Sequence, residues 1–227
     1  MNGHDHIYRR DREMDVLARL DETRSAINVL EHPFYERWSA GELSAGELSR
    51  YAGEYRHAVM ALAHASAQAA EAAADDLRPG LRLHAEEEAA HVALWEQFER
   101  ATDEHARREQ PVLAETRACV QTWTAGEDLL EQLAVLYAIE ASQPQISTTK
   151  LEGLTVHYGF SEEGPATEYF RVHESLDVEH ARQARELIAR LMGGVEDQDE
   201  QADRMVCRAS EALRGNWLLL DGVEASA

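Results

Sequence analysis

The sequence predicts an all-α fold, a single domain spanning residues 1–227 and built from about seven helices joined by short loops. Three observations carry this. Ala, Glu, Leu and Arg dominate, and apolar residues recur with a helical period. Only five prolines occur, mostly between the periodic segments. No alternating strand pattern with hairpin turns appears. A chain of 227 residues, 44% of them hydrophobic, can bury a real core. No internal repeat or long low-complexity linker divides it.

The elements follow in order. Residues 12–29 read as a first amphipathic helix, and HPFYERW at 32–38 as a turn with a short helix. Ser44-x-x-Glu47 is a capping box, opening a helix that runs to about residue 73. Pro79-Gly80 marks the next boundary, before a long helix over 81–102 and a shorter one over 111–122. Thr124-x-x-Glu127 reads as a second capping box, starting a helix toward Gly159 that Pro144 should kink. Residues 166–192 form the sixth helix, closed by Gly193-Gly194. An acidic segment at 196–201 then leads into a last helix ending near Leu220. Residues 1–11 and 222–227 are expected as loose ends. Helices this long suit a bundle whose interior holds a site.

Charge narrows the partners. The formal net charge is −21, and no run of basic residues interrupts the acidity. Such a chain repels nucleic acid and anionic membrane surfaces. No apolar stretch reaches the roughly 18 residues of a spanning helix. The first residues lack the apolar core of a secretion signal. Two cysteines, Cys119 and Cys207, do not make a disulfide scaffold. A soluble, cytoplasmic protein is expected.

The chemistry lies on the helix faces. In YFRVHESLDVEHARQ, His173, Asp177 and His180 stand at i, i+4 and i+7, so three ligand-type side chains share one face. In HAEEEAAHVALW, Glu88 and His91 form the i,i+3 pair that di-iron and di-manganese carboxylate bundles use. Glu86, Glu87 and Glu88 are consecutive, and His84 lies on the same face, so which of them turns inward stays open. Glu140 stands alone in the apolar stretch LAVLYAIEASQ, where an unpartnered carboxylate is costly to bury. Glu54 shares helical phase with Ala61 and Leu62, although Arg50 at i−4 offers it a surface ion pair.

Glu54, Glu88, His91, Glu140, His173, Asp177 and His180 come from four long helices. Four carboxylates and three imidazoles match two divalent irons bridged by carboxylate, with positions for O2. Manganese is possible at one or both positions. Structural zinc would want Cys, and magnesium would take no His. The expected division gives Glu88, His91 and His173 to one ion, Glu54, Asp177 and His180 to the other, with Glu140 bridging.

These residues resemble a known family. HPFYERWSAGELSAGELSRYAGEYRHAV is similar to the opening of the haem-oxygenase-like superfamily that includes thiaminase II and pyrroloquinoline-quinone synthase. HAEEEAAHVALW, YAIEASQPQISTTKLEGLTVHYG and YFRVHESLDVEHA resemble its non-haem branch, the haem-oxygenase-like di-iron oxidases, over roughly residues 30–192. The resemblance implies a haem-oxygenase-like bundle, an O2-dependent oxidoreductase and an external reductant. The thiaminase nucleophile is a Cys that residues 127–160 lack, and the proximal His of a haem oxygenase is missing from 12–29.

Within the branch, residues 140–159 most resemble the family of the chlamydia protein associating with death domains. That family is implicated in making para-aminobenzoate from a tyrosine of its own chain, with a lysine as amino donor ten residues after a ligand Glu. Here Lys150 follows Glu140 by ten residues and is the only Lys in the chain, against 21 Arg. The resemblance implies catalytic roles for Lys150 with Tyr51 and Tyr137. Two positions depart from it: Ile139 stands where a Tyr is expected, and His84 where a Glu is expected. Glu54 with Glu88 instead resembles the branch that decarboxylates fatty acids to alkenes. Other members cleave or N-oxygenate amino acids. A binding or interaction module that has lost its chemistry, and a metal store or redox sensor, are the remaining readings. The substrate is thus a small molecule or the chain's own tyrosine. On an ideal helix, ten residues put Lys150 about 80° off the Glu140 face, so its direction rests on the kink at Pro144. The resemblance also implies a homodimer, with Trp38, Trp123 and Trp217 as possible anchors.

Overall fold

Residues 15–102 and 111–226 are described in the computed structural model, and among them nine α-helices and one 3-10 turn form with no strand. The helices are α1 (Val16–Ala26), α2 (Pro33–Ala40), α3 (Ala45–Ala72), α4 (Arg78–Thr102), α5 (Ala114–Trp123), α6 (Leu129–Glu140), α7 (Gln143–Val156), α8 (Glu168–Met192) and α9 (Gln198–Ala225). The all-α single domain expected from sequence is what forms.

Local signals set most boundaries. The Ser44 hydroxyl accepts from the Glu47 N–H, while the Glu47 carboxylate accepts from the Ser44 N–H. Pro33 opens α2, where its missing N–H costs nothing. Its cap is His32, whose Nδ1 accepts from the Phe34 N–H at 3.0 Å.

Four boundaries correct the sequence reading. The first helix ends at Ala26, and Val29–Glu31 tighten into the 3-10 turn; residues 12–14 and the expected loose end 1–11 lie outside the described residues. Thr124 caps nothing ahead of it, because its hydroxyl donates back to the Val120 carbonyl at 2.8 Å. Asp128 takes the N-cap instead, accepting from the Glu131 N–H at 2.9 Å. Pro144 does not kink one long helix. The chain breaks after Glu140, and Pro144 falls in the first turn of α7. Finally, α9 continues to Ala225 with Val223 buried, so the expected loose end at 222–227 is largely helix.

Packing puts α6 at the centre. From Leu130 to Glu140 every residue of it except Gln132 is buried, the pattern of a helix enclosed on all sides. Around it α3 lies along α4, α7 along α8, and α9 against α1, α5 and α6, while α8 also packs on α6. Two apolar clusters result. An aromatic one gathers Phe34, Tyr51, Trp95, Phe98, Tyr169 and Phe170. An aliphatic one gathers Leu17, Leu20, Leu133, Ile188, Met205 and Leu213. Trp38 and Trp123 are spent in the core, donating to the Lys150 and Ala212 carbonyls, so neither anchors a second copy. No helix among the described residues is long and apolar enough to cross a membrane.

Candidate metal centre

Six of the seven sequence-predicted ligands converge where α4, α6 and α8 meet. Ligand atoms of Glu88, His91 and His173 form one group within 4.8 Å of one another. His84, Glu88, Glu140 and His180 form a second group by the same measure. Glu88 therefore belongs to both. Its Oε1 lies 3.2 Å from His91 Nδ1 and 3.7 Å from His180 Nδ1. Asp177 joins the second group's edge, with Oδ1 3.5 Å from His180 Nδ1. Helical phase explains the convergence: the 173, 177, 180 stripe of α8 faces the 84, 88, 91 stripe of α4.

Two placements differ from the expectation. Glu54 is buried but does not join the groups. Its Oε2 accepts from the Thr116 hydroxyl at 2.6 Å and the Leu113 N–H at 3.2 Å, and Oε1 pairs with Arg50 at 3.7 Å. Where α5 packs on α3, nearer polar partners satisfy it. His84 takes up the second group, with Nε2 2.8 Å from Glu140 Oε1. Of the three consecutive glutamates, Glu88 turns inward, Glu86 stays exposed, and Glu87 reaches His180 Nε2 at 3.0 Å. The donor set becomes four imidazoles and three carboxylates.

The electrostatics are those of a cation site. Glu88 Oε2, Glu140 Oε2, Asp177 Oδ2 and His173 Nε2 are buried acceptor positions with no hydrogen-bond partner. His173 Nδ1 lies 2.7 Å from the Tyr169 carbonyl, which can only accept, so Nε2 keeps its lone pair toward the group. Burial pushes Asp177 above the usual carboxylate range, and the Glu140 and Glu88 charges add to this. Glu88 is held low: burial opposes, but its contact with His91 and the nearby His173 outweigh it. His180 is pushed up to about 9, since Asp177, Glu140, Glu87 and Glu88 outweigh the opposing burial. Mixed nitrogen and carboxylate donors without Cys fit iron or manganese better than structural zinc or magnesium.

A second feature abuts the first. Lys150 is 1% exposed. Its Nζ lies 4.6 Å from the Tyr55 ring centre, 5.1 Å from Tyr51 and 5.6 Å from Tyr35, with Trp95 and Phe170 closing the cage. The break after Glu140 lets α7 start on a new axis, and Lys150 is buried on it. Burial alone drives its amine well below its ordinary pKa. The cage reaches the ligands through Tyr169, which stacks on His173 at 3.9 Å and meets Trp95 at 4.9 Å. Tyr51 is beside Lys150. Tyr137 is not: its hydroxyl donates to Asp21 at 2.5 Å and accepts from Arg185 at 2.8 Å, partners on α1 and α8 that lie outside the cage. Sequence reasoning missed Tyr35 and Tyr55 as cage members; Tyr35 lay in a segment read only as a turn and short helix.

A family model described as "Iron-containing redox enzyme" matches residues 54–215. The chain belongs to this iron-containing redox enzyme family. A 4-aminobenzoate synthase of Chlamydia trachomatis is 34% identical over 92% of the chain and 91% of its own length. A solved domain from Shewanella denitrificans, described as having a heme oxygenase-like fold, superposes with a TM-score of 0.75 over 94% of each chain at 18% identity. A TenA homologue from Pseudomonas syringae gives 0.78 at 20% identity, covering 92% of this chain and 91% of its own. These two show the haem-oxygenase-like fold. The donor set of this iron-containing redox enzyme fits the metal of its family.

Proposed function

We propose that this iron-containing redox enzyme is a non-haem di-iron oxidase using O2, and that its product is 4-aminobenzoate. The observation that carries the reading is the Lys150 cage. The only lysine of the chain is buried beside three tyrosine rings, next to the ligand His173. The name of the C. trachomatis relative supports the product.

The chain's own residues divide the work. Glu88, His91 and His173 would hold one ion, and His84, Glu140 and His180 the other, with Asp177 beside them and Glu88 common to both groups. When bound, iron would supply electrons to O2, with an external reductant to restore them. Manganese at one or both positions is the alternative that elemental analysis separates. The Lys150 amine, whose charged form burial disfavours, is available as nitrogen donor. A tyrosine of the cage, Tyr35, Tyr51 or Tyr55, supplies the ring. The closed aromatic walls keep water from the amine.

The fatty-acid decarboxylase reading loses ground, because Glu54 carries half of that resemblance and sits with Thr116 instead. Residence in the cytoplasm is supported by two free cysteines, Cys119 and Cys207. The proposed homodimer rests on the superfamily resemblance and on Trp217, the one of the three named anchors not fully buried.

The test is Lys150→Arg. It keeps a positive charge but removes an easily deprotonated amine. The variant should load iron and consume O2 yet yield no 4-aminobenzoate. A normal yield rejects Lys150 as donor.

A further inference from the structure

A cavity of about 110 Å³ opens between α4, α6 and α8. Its walls are Leu81, Leu133, Leu136, Ala184 and Leu187. Gly80 and Gln183 on its lining are exposed to solvent. His84 and His180, the two imidazoles of the second group, also line it. We infer that this cavity binds dioxygen and delivers it to the His84–His180 side of the metal centre.

Size and chemistry select the occupant. An apolar cavity of roughly 150 Å³ stays dry and admits benzene or xenon, so one of this size excludes an aromatic acid. A diatomic gas needs about the space of one water, about 30 Å³, and fits with room to move. The leucine and alanine walls are apolar, and the polar side chains on the lining are His84, His180 and Gln183. Dioxygen, an apolar gas, fits the apolar walls and needs no hydrogen-bond donor. The two ends of the metal centre are also distinct. The Lys150 cage abuts His173 through Tyr169, whereas the cavity meets His84 and His180. Gas therefore reaches the centre from the side away from the Lys150 cage.

This inference rests on the oxidase reading, and its test separates the two. Crystals of the protein pressurised with xenon should show density against Leu81, Leu133 and Leu136. Ala184→Phe fills the cavity and should remove that density. Gly80→Trp closes the mouth, where an added Cβ meets no atom within 4 Å, and serves if Ala184→Phe fails to fold. Iron per chain should be unchanged in either variant, while the iron-loaded protein reacts with O2 about tenfold more slowly. Absence of xenon from the wild-type cavity overturns the inference, as does an unchanged O2 rate in a variant that has lost the xenon. 4-Aminobenzoate found in the cavity also overturns it. An iron-loaded wild type that ignores O2 overturns the oxidase reading and this inference together.

Discussion

His173 Nδ1 lies 2.7 Å from the carbonyl of Tyr169, one turn earlier on α8. That bond fixes the imidazole's tautomer and aims Nε2 at Glu88 and His91. The same tyrosine stacks on the ring it orients and touches Trp95 of the Lys150 cage. One residue thus links the surroundings of Lys150 to the candidate ligands.

Glu88 is shared by both ligand groups, so its loss should be felt at both ions. Glu88→Ala should bring iron below one per chain after anaerobic loading. His91→Ala, which touches one group only, should retain about one. Both are read by colorimetric iron analysis. Two irons retained in Glu88→Ala would contradict its shared position.

Glu54 should behave in the opposite way. Glu54→Gln weakens bonds from Thr116 and Leu113 without touching the ligands. Iron per chain should stay at the wild-type value, while urea unfolding shows a loss of about 1–3 kcal/mol. Lost iron with unchanged stability would put Glu54 back among the ligands.

The buried amine predicts a pH signature. Its folded-state pKa lies below its ordinary 10.5. Between these two values the unfolded chain binds one more proton than the folded one. Stability from this group therefore rises with pH across that window, by about 1.4 kcal/mol per pH unit. Below the folded pKa the penalty for burying the group is full. Above 10.5 it is gone. Lys150→Met should be more stable than wild type at neutral pH, with the gap closing as pH rises toward 10.5, measured by urea unfolding at a series of pH values. A gap independent of pH would mean the amine is charged or uncharged alike in both states.

Gly153 is where α7 meets Trp38. A Cβ there would come within 2.3 Å of Trp38 Nε1, the atom that donates to the Lys150 carbonyl. Gly153→Ala should cost about 1–3 kcal/mol by overpacking, read as a lower Tm. An unchanged Tm would show that α7 can shift freely, and the cage with it.

Much of the site was legible because helical phase is a local property. The 173, 177, 180 stripe and the Glu88–His91 pair face inward as their spacing requires. Glu140 announced itself as a lone carboxylate in an apolar run. Phase also turned Glu54 inward correctly, beside Ala61 and Leu62, but phase does not say which neighbour waits there. Thr116 on α5 decided that, through a contact 62 residues away in sequence. His84 shared the right face and was left open because its partner, Glu140, lies on another helix. The direction of Lys150 depended on whether Pro144 kinks a helix or opens a new one; the chain breaks after Glu140, and α7 then packs along α8 and on α2, contacts distant in sequence. The cage tyrosines Tyr35 and Tyr55 come from two helices, and nothing local marks them as neighbours of Lys150.

The central claim is that Lys150 and a cage tyrosine are consumed. Peptide-mapped mass spectrometry of the protein tests it directly, after anaerobic iron loading and one exposure to O2 with reductant. The expected result is a mass change on the segment holding Lys150, a second on a segment holding Tyr35, Tyr51 or Tyr55, and 4-aminobenzoate in the solution. If 4-aminobenzoate forms while both segments keep their original masses, the chain is not its own substrate and the claim is wrong.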